Sequence, residues 1–325
     1  MRRREFLGLV LGALIGWPEP GLSQQPNRTY RIGVLSTPPR TADLNVALID
    51  ELKKFGFVEG LNLLILDQGY GKRSDQFPEI AMQFAEAKVD AIVAISGALA
   101  IRAAQAATQS IPIIGVADDM VLEGHVRSIS NHGGNTTGIS ILAAQLDGKR
   151  QEILMELLPG ARRMAVIFDA AVELPDQIKE LENAARGRGV ELSIYPVRKP
   201  EDVGPALERS KAAGAEAVNF LASPLFSTLF RKANFAKALA LGLPATHHWP
   251  EGAKDGAFVA YGPSQLKVFR QLASPLAKVL RGEDPGIVPV EQPTKIELAV
   301  NLKVAEQLGI TVSPSFQLRA DEVIE

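Results

Sequence analysis

Three short stretches carry side chains whose types and positions could do chemistry. Ser96-Gly97-Ala98, Asp118-Asp119 and His247-His248 each follow an apolar run. A serine and a glycine at a strand-to-helix junction suit an anion such as a carboxylate. Unpaired backbone N–H groups and the helix dipole attract it, and the missing side chain lets it approach. The same serine would serve equally as an ordinary helix N-cap. Asp118 or Asp119 could hold a ligand ammonium, or the pair could shape a solvated turn. His247-His248 invites a metal, yet neighbours on a strand point to opposite faces and cannot easily share one ion. His125 and His132 lie in a loop-rich region without a carboxylate at ligand spacing, so no metal site is assigned. Ser96 with His247 or His248 as base would make a hydrolase, but Ala94-Ile95-Ser96-Gly97-Ala98 lacks both glycines of the nucleophile elbow. Gly133-Gly134 breaks structure without the context of a dinucleotide site. No cofactor is assigned.

The 325 residues include no cysteine, which excludes disulfides, thiolate catalysis, Cys-ligated metal centres and a lipid anchor on an N-terminal cysteine. A net charge of −2 implies no basic face, so neither nucleic acid nor an anionic membrane is an expected partner. The length exceeds what one core usually holds, and two domains are expected.

The elements that must position these residues alternate. Strands are expected at 31–36, 61–67, 91–95 and 111–116, with helices at 44–55, 77–87 and 98–108. The order recurs: strands at 164–168, 190–196, 217–221 and 244–247, and helices at 175–186, 203–213 and 230–241. From Ile32 to Pro112 is 80 positions and from Ala165 to Pro244 is 79. Continuous apolar strands between amphipathic helices mean a parallel sheet covered on both faces, here twice. A helix at 264–280, strands at 288–290 and 295–298 and a helix at 299–308 would complete the two sheets by crossing between them. At the N-terminus, Arg2-Arg3-Arg4 precedes a short apolar run and Gly21-Leu22-Ser23, the order of a signal peptide. Arg3-Arg4-Glu5-Phe6-Leu7 is similar to a twin-arginine export signal, and a Sec signal with a basic start has the same look. The mature chain would begin near Gln24.

Several phrases carry a family resemblance: "RIGVLS", "ELKKFGFVEGLNLLI", "FAEAKVDAIVAISGALAIRAAQAATQSIPII", "GGNTTGIS", "GKRQEILMELLPG", "VEQPTKIELAVNLKVAEQLGI" and the closing "RADEVIE". Over nearly the whole mature length the chain resembles ABC-transporter substrate-binding proteins related to tryptophan-binding ones. That implies an α/β fold of two doubly wound Rossmann-like lobes joined by a multi-crossover hinge, the type I periplasmic binding protein. The expected parts are a signal peptide at 1–23, a first lobe at 24–139 plus about 262–290, and a second at 140–261 plus about 291–325. Relatives commonly carry Asp-Pro after the fourth strand, where this chain has Asp118-Asp119-Met120. That departure puts the cleft wall and the ligand in question.

Ligands of open α/β sheets bind beyond the carboxyl ends of strands. The expected ligand-binding residues are therefore Ser36, Thr37, Ser96, Gly97, Ala98, Asp118 and Asp119 from the first lobe. Asp169, Ser223, Pro224 and His247 come from the second, with Ser140 and Tyr261 at the crossings. Thr137, Gly138 and Ser140 are expected to form the first hinge, and Tyr261, Phe226 and Trp249 are candidate aromatic walls. The expected function is the periplasmic solute-binding component of an ABC importer, not an enzyme. It would close on an amino acid or small carboxylate and deliver it to an inner-membrane permease, without membrane insertion of its own. A periplasmic two-lobed enzyme and a ligand-sensing partner of a membrane receptor are the alternatives.

Overall fold

Short apolar runs that lack polar alternation become strands buried on both faces. The computed structural model describes residues 28–170, 175–226 and 230–325, so the expected signal peptide lies outside the described residues. The first half runs β1 (Tyr30–Leu35), α1 (Asp43–Lys54), β2 (Leu63–Leu66), α2 (Phe77–Glu86), β3 (Ala91–Ala94), α3 (Ala98–Ala107), β4 (Ile113–Ala117) and β5 (Thr136–Ser140). These strands form one parallel sheet in the order β2-β1-β3-β4-β5.

Alternate side chains build a core on each face. Ile32, Val34, Val93, Ile114 and Val116 meet Leu44, Leu48 and Leu52 of α1 on one side. Leu35, Ile92, Ala94 and Ile113 meet Phe77 and Phe84 of α2 and Ile101 of α3 on the other. Each fully buried leucine, isoleucine or phenylalanine contributes about 1.5–3 kcal/mol relative to its exposed state.

The second half repeats the plan. It runs α4 (Asp147–Leu157), β6 (Arg163–Asp169), α5 (Pro175–Arg186), β7 (Glu191–Val197), α6 (Val203–Ala212), β8 (Val218–Phe220), α7 (Arg231–Ala240), β9 (Thr246–His247), α8 (Glu251–Lys254) and β10 (Val259–Pro263). Strand order β7-β6-β8 matches β2-β1-β3, and a parallel bridge from Val218 to Ala245 continues the sheet to β9 and β10. Two doubly wound lobes result.

The chain crosses between the sheets three times. It leaves the first after β5. It returns after β10 as α9 (Gln265–Gln271) and α10 (Ala273–Leu280), whose Val268, Phe269, Leu276 and Leu280 join the core under α1. It then leaves again to form β11 (Ile296–Asn301), antiparallel to β10, followed by α11 (Leu302–Gln307), α12 (Pro314–Gln317) and β12 (Glu322–Ile324). Among the described residues no helix is long and apolar enough to cross a membrane.

Three expected elements differ. The single helix at 264–280 is two, parted at Leu272, because Pro275 lacks the N–H that would bond to the Gln271 carbonyl. The run 288–290 is no strand, since Pro289 cannot donate to a ladder. It lies along β5 instead, where Thr137 Oγ1 donates to the Val288 carbonyl at 2.8 Å and the Glu291 N–H donates to Gly138 at 2.8 Å. The helix expected from Ala299 starts at Leu302, after Asn301 caps it through the Val304 N–H at 2.9 Å. The strands β5, β10 and β12, and helices α4, α8 and α12, go beyond the expected elements.

Gly138 is fixed by contact as well as by conformation. Its φ is 147°, and a Cβ there would stand 1.9 Å from the Gly115 carbonyl oxygen of β4. Gly204 in α6 has open space around the same position. Gly138→Ala is expected to cost about 3 kcal/mol, and Gly204→Ala to add about 0.5–1 kcal/mol. Urea unfolding midpoints of the two variants check both signs.

Candidate functional site

The carboxyl ends of β1, β3 and β4 lie side by side, since Leu35 is paired with Ala94 and Ala94 with Gly115. The loops that leave them share one rim. Ser96 is half-buried, and its Oγ accepts the Thr37 N–H at 2.8 Å. Ser96 does not cap α3. The cap residue is Gly97, at φ 75° with no side-chain bond; the Ala100 and Ile101 N–H groups turn back to its carbonyl at 3.1 and 3.3 Å, and those of Ala98 and Leu99 precede the helix's own bonds. Ala98 begins that helix half-buried. Ser36 sits deeper. Its Oγ donates to the Pro38 carbonyl at 3.0 Å and accepts from Asn45 Nδ2 at 3.1 Å, so it shapes the loop after β1.

The two aspartates separate in role. Asp119 Oδ1 accepts the N–H groups of Val121 and Leu122, both at 3.0 Å, which makes it the keystone of a turn. Ser140, fully buried on β5, holds the same loop by accepting the Met120 N–H at 3.1 Å. Asp118 is half-buried, and among the described residues its carboxylate accepts no hydrogen bond. Its carbonyl accepts the N–H of Leu142, a residue held at φ 52° in the first crossing, at 2.7 Å.

The opposite rim comes from the second sheet. Ser223, after β8, donates from Oγ to Oδ2 of Asp169, the last residue of β6, at 2.7 Å and accepts the Leu225 N–H at 3.0 Å. Pro224 opens the short 3-10 turn Pro224–Phe226 that follows. The two rims feel each other. Burial pushes the Asp118 carboxyl up to about 7; the negative charges of Glu123, Asp147 and Asp169 add to the effect, and the Arg150 guanidinium opposes it.

His247 is buried in the second core. Its Nε2 lies 3.3 Å from the Phe226 carbonyl and its Nδ1 3.2 Å from that of Trp249, and the Trp249 N–H approaches the same Nδ1 at 3.1 Å. Burial lowers its pKa to about 3 and pushes that of the stacked His248 well below the ordinary range. Of the aromatic candidates, Phe226 and Trp249 are buried, and Tyr261 is half-buried with its carbonyl accepting from Arg150 Nη1 at 2.9 Å.

Arg150 and Asp147 were not singled out from the sequence. Both are buried at the start of α4 and form an ion pair. Burial pushes the Asp147 carboxyl up, and the guanidinium beside it pulls it back. The signal was present: 147, 150, 154 and 157 share one helix face with Leu154 and Leu157, so the two opposite charges point at the core.

Two doubly wound lobes with three crossings define the class: the fold is that of the type I periplasmic binding proteins. A conserved domain protein from Vibrio cholerae shares it with a TM-score of 0.81 at 24% identity, covering 91% of this chain and 100% of that one. So does the ABC domain in complex with L-Trp from Streptococcus pneumonia, with a TM-score of 0.79 at 18% identity and the same two coverages. The chain belongs to the ABC transporter substrate binding protein family, whose model matches residues 34–324. It is 27% identical over 281 residues to a tyrosine-binding protein of Clostridioides difficile (strain R20291), covering 84% of this chain and 79% of that protein. These are extracytoplasmic proteins that bind small molecules for transport and are not enzymes.

The raised carboxyl of Asp118 has a consequence for stability. Its folded pKa of about 7 exceeds the unfolded value near 3.8, so the folded state binds this proton more tightly. The benefit is full below about pH 4 and is lost as the pH rises through about 7. Buried His247, lowered to about 3, acts in the other direction, its contribution falling as the pH drops below about 6.5. That second effect cancels when variants are compared. Asp118→Asn is expected to raise the melting temperature of the ligand-free protein by a few degrees at pH 8 and to leave it unchanged at pH 4.

Proposed function

We propose that the chain is the periplasmic receptor of an ABC importer and that it captures an amino acid between its two rims. The observation that carries this reading is Asp118, a half-buried carboxylate at the end of β4 without a hydrogen-bond partner among the described residues. An α-ammonium there makes a charge-assisted bond and restores the ionised form. Beside it, the N–H groups of Ala98 and Leu99, which lie ahead of the bonds of α3 itself, face the ligand carboxylate in this reading. Asp169 and Ser223 on the facing rim meet the remainder of the ligand as the lobes close.

The lobes in this reading are 24–139 with about 262–290, and 140–261 with about 291–325. The packing of α9 and α10 under α1 supports the first assignment. Export in this reading rests on the basic and apolar order of residues 2–23, and membership of the family supports delivery of the closed form to an inner-membrane permease. The relatives recorded with tyrosine and tryptophan make aromatic amino acids the first ligands to try.

A ligand that binds only the native state raises the melting temperature. In a thermal-shift screen of the chain from Gln24, an L-amino acid is expected to give the largest rise and to be recovered unchanged. Asp118→Ala is expected to weaken that binding about 10–100-fold, the loss of one charged hydrogen bond. A rise with sugars or metals but no amino acid, or binding of an amino acid that Asp118→Ala leaves intact, contradicts the reading.

A further inference from the structure

The facing rim is tied to the crossings by one buried network. Asp147 is 0% exposed and Arg150 is 1% exposed, one turn apart at the start of α4. Arg150 Nη2 donates to the Ala143 carbonyl in the first crossing at 2.6 Å and to the Asp147 carboxylate. Its Nη1 donates at 2.9 Å to the carbonyl of Tyr261 in β10, just before the second crossing. Asp147 Oδ1 accepts the Ala222 N–H at 3.2 Å, and Oδ2 accepts from Gln177 Nε2 at 2.6 Å. That same amide nitrogen reaches the Ala144 carbonyl at 2.9 Å. Ala222 adjoins Ser223, whose hydroxyl holds Asp169.

Two crossings, the end of β8, the first turn of α5 and the base of α4 therefore meet at one pair of side chains. Stability alone does not call for this arrangement. A buried ion pair is often matched or bettered by apolar side chains of similar volume. Apolar side chains, however, cannot direct hydrogen bonds to Ala143, Tyr261 and Ala222 together.

We propose that Asp147 and Arg150 are positioning residues that make the crossings and the Asp169–Ser223 rim move as one body. This rests on the reading of the protein as a two-lobed receptor that closes. Rotation at the crossings then brings the rim onto the ligand with its geometry kept. Without the pair, the lobes can rotate while the rim lags, and the relative orientation of the lobes is less well defined.

The double variant Asp147→Leu with Arg150→Met separates positioning from stability. The chain has no cysteine, so Leu61→Cys and Leu318→Cys, at positions 76% and 88% exposed on different lobes, take spin labels cleanly. Pulsed electron resonance on the ligand-free protein reads the distribution of lobe-to-lobe distances. With Asp147 and Arg150 present the distribution is expected to be narrow. In the double variant, folded and melting within a few degrees of its parent, it is expected to be about twice as broad. An unchanged width in the folded double variant overturns the proposal. Gln177→Leu, which cuts only the link from Asp147 to Ala144, gives a second test should the double variant not fold, with broadening expected and an unchanged width again counting against. Added L-tyrosine or L-tryptophan reports separately on the receptor reading. If neither shifts the distance in the parent, capture of an aromatic amino acid is contradicted, while the ligand-free widths still decide the role of the pair.

Discussion

A charge pair sealed inside the second lobe, Asp147 with Arg150, is the interaction on which the arrangement of the cleft depends. Taking two charges out of water costs several kcal/mol each, and their attraction offsets this only when the remaining donors and acceptors are also satisfied. Here they nearly are: the carbonyls of Ala143 and Tyr261, the N–H of Ala222 and the amide of Gln177 complete the set, with only Arg150 Nε left over. A fold that crosses three times between two sheets must hold its crossings in register with its strand ends, and this network does so from the interior of one helix. The first lobe meets the same need through backbone contact, with Gly138 pressed on Gly115 and the Glu291 N–H on the Gly138 carbonyl.

The polar groups of the rims then divide into those that build loops and those that the proposed reading gives to a ligand. Asp119 and Ser140 bond to main-chain N–H groups, and Ser36 to the Pro38 carbonyl and the Asn45 side chain. Asp118 does not: burial and the negative charges of Glu123, Asp147 and Asp169 disfavour its ionised form, and the Arg150 guanidinium offsets only part of this. A site with that electrostatic balance favours a ligand that brings positive charge to the first lobe. In the proposed reading, the N–H groups at the start of α3, which follows the adjacent strand β3, would meet the ligand's opposite end.

Much of this was legible in the sequence because parallel strands buried on both faces leave an unmistakable apolar run. β1, β3, β4 and β6 fall within a residue or two of their expected bounds, and the helix 175–186 matches at both ends. The repeat at 80 and 79 positions carries through to matching strand orders, β2-β1-β3 and β7-β6-β8. What could not be read was set by tertiary partners. β5 is a polar, glycine-containing run, T-T-G-I-S, that becomes a strand because β4 and the returning segment at Glu291 flank it. Residues 288–290 look like a strand, yet proline denies them a ladder. At the site, sequence named both Asp118 and Asp119, but only the turn at Val121 and Leu122 distinguishes them. His247 was named for its place after a strand, and a sequence does not reveal that Phe226, Phe235 and Trp249 enclose it.

If Asp118 receives the ligand's ammonium, as proposed, proton release on binding is its most direct signature. With a carboxyl near 7, about half of the free protein carries a proton on Asp118 at pH 7. An ammonium bound there requires the ionised form, so titration calorimetry with L-tyrosine in two buffers of different ionisation enthalpy should register release of about half a proton. Asp118→Asn should release none. Binding whose heat is the same in both buffers for the unaltered protein would contradict the account.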